Sequence, residues 1–258
     1  MNEDIDITPF QRALLILLLL SVTLGVMLLL PPIAQDPMYH AFADRRALLG
    51  IPNFLNVVSN LPFLAVGLTG IIFCARGPGI TGARWAWIFF FIGVTLVCLG
   101  SGYYHLSPDN NTLVWDRMPM SIGFMGLLVA VISEHVNEKL ERVLLAPAII
   151  LGVASVIYWH YTDDLRLYVW VQFIPMLAIP ALLLMFESPF PHRRILFVAL
   201  AIYAVAKVAE YYDQAVFEQT INLISGHSLK HLLAALAPFL VYVMLTRRTQ
   251  TVPRIKQL

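Results

Sequence analysis

Charge is what this sequence has least of. Only 13% of its 258 residues are Asp, Glu, Lys or Arg, whereas 59% are hydrophobic. A water-soluble domain of this size carries about a quarter of its residues as charges, so much of the present surface has to face lipid. The net charge of +1 offers no field for nucleic acid. Cysteine is equally scarce: Cys74 and Cys98 both sit in apolar runs, where a thiol fills space, and they match neither a disulfide framework nor a zinc-ribbon spacing. Internal repeats and low-complexity tracts are lacking, and the polar stretches are too short for a soluble domain. The first apolar run exceeds a signal-peptide core, and no small-x-small cleavage site follows it before Pro31-Pro32. It is read as a retained helix.

Long apolar runs are what the chain does have. Crossing a hydrocarbon core of about 30 Å takes roughly 20 apolar residues in a helix. Eight segments reach or approach that length: 12–32, 53–75, 84–105, 117–134, 143–160, 166–186, 194–212 and 227–246. Short polar stretches such as Arg76-Gly-Pro-Gly79 and Glu187-Ser-Pro-Phe-Pro-His192 separate them. Pro62, Pro119, Pro147, Pro175, Pro180 and Pro238 fall inside the runs and are expected to kink them, since neighbouring helices re-satisfy the freed carbonyls. The fold expected is therefore an all-α polytopic membrane helical bundle, with residues 1–258 as one integral membrane domain. Lys and Arg set its orientation. The side that holds both termini and the loops near 80, 139 and 190 carries eleven of them (Arg12, Arg76, Arg84, Lys139, Arg142, Arg193, Arg194, Arg247, Arg248, Arg254 and Lys256). The other side carries five (Arg45, Arg46, Arg117, Arg166 and Lys230). Both termini are expected to be cytoplasmic.

Ionisable side chains at membrane depth are costly and mark function by default. Most of them cluster at the non-cytoplasmic end. One helix closes on Ser101-Gly-Tyr-Tyr-His105, the next opens with Trp115-Asp116-Arg117, and the last opens with Gly226-His227-Ser-Leu-Lys230-His231. His227 and His231 stand at i and i+4, so both imidazoles share a helical face within reach of one metal ion. Alone the H-x-x-x-H pattern is weak, and interfacial histidines bonded to backbone are the bland alternative. His105 would complete a three-nitrogen set with one position open, which is the catalytic zinc arrangement rather than the closed four-ligand one. Such a site needs a carboxylate to take a proton and a donor for the developing oxyanion. Asp116 and Ser101 are the candidates, against a plain ion pair of Asp116 with Arg117 or an orienting contact to a ligand histidine.

At these residues the sequence resembles the alkaline ceramidase family, part of a membrane-hydrolase superfamily that also holds the adiponectin and progestin receptors. The matching elements are N-F-L-N-V-V-S-N at 53–60, S-G-Y-Y-H at 101–105, W-D-R-M-P-M at 115–120 and G-H-S-L-K-H at 226–231. They stand in family order, with eleven residues from His105 to Asp116, and cover about three quarters of the chain. The resemblance implies a seven-helix core over 53–246, with 12–32 as an extra N-terminal transmembrane helix. It implies zinc on His105, His227 and His231, completed by Ser101 and Asp116, and hydrolysis of the amide of ceramide or a related N-acyl lipid to fatty acid and amine. The animal enzymes also bind calcium through acidic residues ahead of the first core helix. Here only Asp44 is acidic in Tyr39-His-Ala-Phe-Ala-Asp44, and Asn53 replaces a glutamate. Calcium is therefore a doubtful second ion, and the substrate expectation widens from ceramide to related lipid amides.

Other polar residues admit plainer roles. Lys207 and Glu210, with Asp213 a turn on, read first as a stabilising pair and second as the lining of a cavity for a polar head group. His160 is the rival ligand; His135 and His192 point to the far side, and His40 is a loop residue. Trp85, Trp87, Trp115, Trp159 and Trp170 read as an interfacial belt. Asn56, Ser59 and Asn60 read as inter-helix hydrogen-bonding residues. Two other functions compete with the amidase. A lipid-sensing, receptor-like protein with a structural zinc lacks a soluble segment to relay its signal. A haem protein wants histidines facing each other across helices, which an i, i+4 pair does not provide.

Overall fold

The computed structural model describes residues 8–77, 82–186, 190 and 193–248. Pro78, Gly79, Glu187, Ser188, Pro189, Pro191, His192, Arg254 and Lys256, named above, lie outside them. The regular structure of the described residues is helical: α1 (Pro9–Leu29), α2 (Phe54–Val58), α3 (Leu61–Arg76), α4 (Arg84–Leu106), α5 (Asn110–His135), α6 (Leu140–Thr162), α7 (Arg166–Met185), α8 (Arg194–Tyr211), α9 (Asp213–Gln219) and α10 (Gly226–Arg248), with a 3-10 turn at Pro37–His40. Seven spans are long and apolar enough to cross a membrane, α2 and α3 counting as one, and the bent pair α8–α9 makes an eighth. Their outward residues, among them Leu17, Val22, Leu68, Ile150, Leu184 and Val205, are exposed, as a surface solvated by hydrocarbon requires. The chain is an all-α polytopic membrane bundle.

Several boundaries move from their sequence expectation, each for a local reason. α5 starts at Asn110, not near 117, because Asp109 forms a reciprocal capping box with Thr112, satisfying free N–H groups of the first turn. Asp116 and Arg117 thus lie two turns inside the helix. The span at 53–75 breaks at Ser59-Asn60 into α2 and α3. Pro62 falls in the first turn of α3, where its missing N–H costs nothing. α9 turns away from α8 by 84°, so Asp213 does not continue the face of Lys207 and Glu210. Of the five tryptophans only Trp85 and Trp115 are exposed; Trp87, Trp159 and Trp170 are core residues.

Small residues let the helices close. A Cβ on Gly100 would stand 2.0 Å from the Trp115 carbonyl oxygen, and one on Gly226 would stand 2.1 Å from that of Ala209. These two contacts lock α4 to α5 and α10 to α8 beside Ser101 and His227. The opposite end is clamped by a buried ion pair: Arg248 donates to both Glu134 oxygens at 2.8 and 2.6 Å, and Trp87 Nε1 donates to Glu134 at 2.7 Å.

α1 leans on α7, with Trp170 Nε1 donating to Thr23 Oγ1 at 3.1 Å and Arg12 Nη1 donating to the Met185 carbonyl at 2.7 Å. Beyond it the chain folds back over the bundle end. Arg166 Nη1 donates to the Leu28 and Leu30 carbonyls, and the Leu165 amide to that of Ile33. Asp164 holds Arg166 in place with bonds of 2.7–3.1 Å. The hydrogen bonds from Arg166 draw the Asp164 carboxyl down from 3.8 to about 2. A carboxyl lowered in the folded state adds stability above its unfolded value, and that gain fades as pH falls through the folded one.

Two outcomes follow from this packing. Gly226→Ala is expected to lower unfolding stability by about 1–3 kcal/mol through overpacking, measured by denaturant titration in detergent; an unchanged midpoint would refute the tight α8–α10 contact. Asp164→Asn should melt below wild type near neutral pH, and the gap should close between pH 3.8 and about 2. A gap that persists at pH 2 would assign the loss to something other than the carboxylate's charge.

Candidate metal centre

Three helix ends meet at one pole of the bundle: the last turn of α4, the first half of α5 and the first turns of α10. The α2–α3 break packs beside them. Within this junction His105, His227 and His231 bring their ring nitrogens within 4.8 Å of one another, and all three side chains are buried. His105 Nε2 lies 3.3 Å from His231 Nε2 and 3.3 Å from His227 Nε2. A tetrahedral zinc with bonds of about 2.0–2.1 Å would set its nitrogens about 3.3–3.4 Å apart. The triad can hold a metal ion of that kind, and it is the one group of three or more potential ligands found among the described residues.

Its tautomers support the same use. Ser59 Oγ donates to the Asn56 carbonyl at 3.3 Å, so its lone pair is free to accept Nδ1–H of His231 at 2.8 Å. That leaves the His231 Nε2 lone pair facing the other two rings. A histidine ligand held through its other nitrogen in this way is the usual means of fixing ring orientation. Lys230 Nζ stands 3.1 Å from His227 Nε2 and donates to it, which marks this nitrogen as a lone pair too. Ser228 Oγ donates to Asn56 Oδ1 at 2.6 Å, and Asn56 Nδ2 to the Asp44 carbonyl at 3.2 Å. Asn56 and Ser59 are therefore inter-helix hydrogen-bonding residues, as their positions suggested, with Ser59 bonded directly to the triad, whereas Asn60 Nδ2 donates back to the Asn56 carbonyl at 2.8 Å.

Ser101 and His231 line one cavity with Asp116, and both Ser101 and Asp116 are buried. The cavity measures about 220 Å³. Asp116, Arg117, Lys207, Glu210, Lys230 and Tyr39 make its polar end, and Phe90, Leu127, Ile179, Leu196 and Val241 its apolar end. Phe90 and Ser101 stand eleven residues apart on α4, so at 1.5 Å per residue the shaft runs about 16 Å along the bundle.

The ion pair of Asp116 with Arg117, the plainer alternative for both, is not among the ion pairs of the described residues. Arg117 Nη2 donates to Gln35 Oε1 at 2.6 Å, and the guanidinium lies over Trp159 and Tyr168, 4.1 and 4.7 Å from their ring centres. Lys207 and Glu210 do pair, and Lys230 Nζ donates to Glu210 Oε1 at 3.0 Å. The stabilising pair is therefore present, and it also lines the cavity. His160 is exposed and outside the triad. His135 bonds its own helix through the Val131 carbonyl. His40 lies in the 3-10 turn, bonded to Tyr104 and Asn110.

A roof over the triad escaped the sequence reading. Phe42 sits 4.8 Å from the His105 ring and 4.6 Å from that of His227. The Ala43 amide donates to Asp213 Oδ2 at 2.9 Å, while Asp213 Oδ1 accepts the His227 amide at 2.7 Å. No periodicity marks a single loop phenylalanine, so nothing in the sequence could have found it. Burial, and then the Glu210 carboxylate, holds the Tyr39 phenol well above its ordinary value; it stays neutral. Asp44 is engaged by Arg46 at 2.8 and 2.7 Å. Burial raises its carboxyl, yet the Arg46 hydrogen bonds and charge outweigh that and lower it. Asn53 donates to the His105 carbonyl at 2.8 Å. Both positions considered for calcium thus bond to groups of the chain itself.

The described residues thus form a membrane bundle that buries a histidine triad able to hold a metal ion beside an apolar cavity. A sequence model of the ceramidase family matches residues 50–255, and the chain belongs to that family. The match takes in α2 to α10 and leaves α1 outside it. No curated protein matches the chain. Family membership supports amide hydrolysis of a ceramide-type membrane lipid.

Ser59→Ala removes the hydroxyl that receives His231 Nδ1–H. The expected effect is a loss of about 10–100-fold in divalent-metal affinity, read by chelator competition with helicity retained. Unchanged affinity would show that Ser59 does not orient the ring.

Proposed function

We propose that the chain is a zinc-dependent intramembrane hydrolase that cleaves the amide of ceramide or a related N-acyl lipid, releasing fatty acid and amine. His105, His227 and His231 hold the ion in this reading, and Ser101 and Asp116 serve the amide. The observation that carries it is the continuity of one cavity from the triad's edge at His231, past Ser101 and Asp116, into a deep apolar shaft. A lipid acyl chain needs such a shaft, whereas a structural metal site has no use for it.

Zinc held by three neutral imidazoles supplies a Lewis acid and brings the pKa of water to about 7. The residues around it do the rest. Asp116, buried and beside Ser101, takes a proton as the water oxygen bonds to the amide carbon. It returns that proton to the nitrogen as the C–N bond breaks. The Ser101 hydroxyl orients Asp116 and offers a donor to the carbonyl oxygen as charge builds there. The apolar shaft holds the acyl chain and fixes the amide at the junction of α4, α5 and α10. Phe42 keeps bulk water off the His105 and His227 rings.

The same reading places both termini in the cytoplasm and the triad near the non-cytoplasmic face, supported by the bias of Lys and Arg towards the terminal side. Residues 1–258 act as one membrane domain, with α1 added to a seven-span core. Three nitrogens also separate the hydrolase from a receptor with a structural zinc, since structural zinc sites close with four protein ligands.

Purified protein should contain about one zinc per chain and release fatty acid from an N-acyl lipid, with His231→Ala losing both. Asp116→Asn should keep the zinc and lose about 10²–10⁴-fold in rate. Mass spectrometry of bound metal and a fatty-acid assay check both. Full activity in a zinc-free preparation, or in the Asp116 variant, would sink the reading.

A further inference from the structure

The charges at the cavity's polar end do not balance. Arg117, Lys207 and Lys230 line it as cations; Asp116 and Glu210 line it as carboxylates. Three against two leaves one positive charge over, in a pocket walled by apolar side chains. The surplus has no other carboxylate to turn to. Asp213, next along the chain, commits both oxygens to the Ala43 and His227 amides, and Asp44 is taken by Arg46. Tyr39 approaches Glu210 as a neutral hydroxyl at 3.4 Å.

The individual contacts tell the same story. Glu210 alone serves two ammonium groups, Lys207 and Lys230. Arg117 is only 5% exposed, is held by a neutral Gln35 and three aromatic rings, and keeps Nη1 buried with no hydrogen-bond partner. Lys230 spends a further hydrogen on His227 Nε2. That lone pair is the one a metal ion would take, and it cannot serve both. Loading the triad therefore frees a donor of Lys230, which itself lines the cavity. Buried cations without counter-charges are costly, and a bound anion at the same place relieves that cost through charge-assisted hydrogen bonds.

From this imbalance we infer that the cavity is built for an N-acyl lipid whose amine part carries an anionic group, a carboxylate or a phosphate, received by Lys207, Lys230 and Arg117. The inference rests on the amide-hydrolase reading for the placing of the acyl chain in the shaft, which leaves the amine part at the charged end. It departs from ceramide, whose head carries hydroxyls and no charge.

The test compares lipids of one acyl chain: an N-acylethanolamine, an N-acylglycine, an N-acylethanolamine phosphate and the free fatty acid. Binding to the zinc-loaded wild type in detergent is measured alongside amide cleavage. At least one of the two anionic amides should bind about tenfold or more tighter than the neutral one, a preference worth about 1.4 kcal/mol. Lys207→Met should bring the ratio near one with zinc content unchanged, and Lys207→Arg should restore it. The carboxylate and phosphate arms tell which anion fits. Equal binding of neutral and anionic amides by the wild type would overturn the inference, whatever the variants do. So would a free fatty acid that binds as tightly as the anionic amides and loses as much in Lys207→Met, because the cations would then be receiving product. Selective binding without cleavage would sustain the anion site and remove the hydrolase reading; cleavage without selectivity would do the reverse.

Discussion

Three buried imidazole rings, with the His105 Nε2 3.3 Å from the Nε2 of each of the other two, impose a demand that organises the rest of this bundle. Lone pairs brought that close repel unless a cation or a shared proton lies between them, and no water is at hand to absorb the cost. The surroundings are accordingly arranged to hold the rings rather than let them separate. Ser59 grips one from behind, Phe42 covers two from above, and the Asp213 carboxylate caps the α10 backbone at His227. Gly100 and Gly226, neighbours in sequence of Ser101 and His227, remove the side chains that would keep the supporting helices apart.

The far pole shows the same physics without the chemistry. Arg248, Glu134 and Trp87 hydrogen-bond one another there, closing the bundle with a buried ion pair, although Arg248 Nε and His135 Nε2 are left without a partner. At the near pole the polar groups are imperfectly satisfied: Arg117 keeps a bare nitrogen, and two lysines share one glutamate.

The sequence made much of this legible, and the reasons differ by residue. Apolar length alone marks the spans, because lipid leaves the backbone little choice but helix. His227 and His231 were readable as a pair because four residues make nearly one helical turn. His105, Ser101 and Asp116 could be nominated from their places at helix ends sharing one face of the bilayer, and the structure brings all three to the same junction. The errors also have physical causes. Hydropathy placed the start of α5 near 117, since it is blind to the Asp109–Thr112 capping box that begins the helix in polar residues. It ended the span of α8 at 212 and left α9 unmarked, because a seven-residue helix holding Asp213 and Glu218 is too short and too polar to register. Arg117 was weighed only as an ion-pair partner of its sequence neighbour Asp116, whereas the aromatic rings that hold it come from the 3-10 turn, α6 and α7. Contacts between distant segments of that kind, like the Phe42 roof, exist only once the chain has folded.

The apolar shaft makes the interior of this molecule unlike that of a solid bundle. Side chains such as Phe90, Ile179 and Val241 face open volume instead of one another, so part of the dispersion energy that would hold α4, α7 and α10 together must come from whatever hydrocarbon lies between them. A lipid seated there recognises only the folded chain and is therefore linked to folding by mass action. On the proposed reading, occupancy of the shaft and integrity of the bundle would form one equilibrium, with the lipid a removable piece of the core. The surrounding bilayer, by setting how much of that lipid is on offer, becomes a solvent for the inside of the protein as well as for its outside.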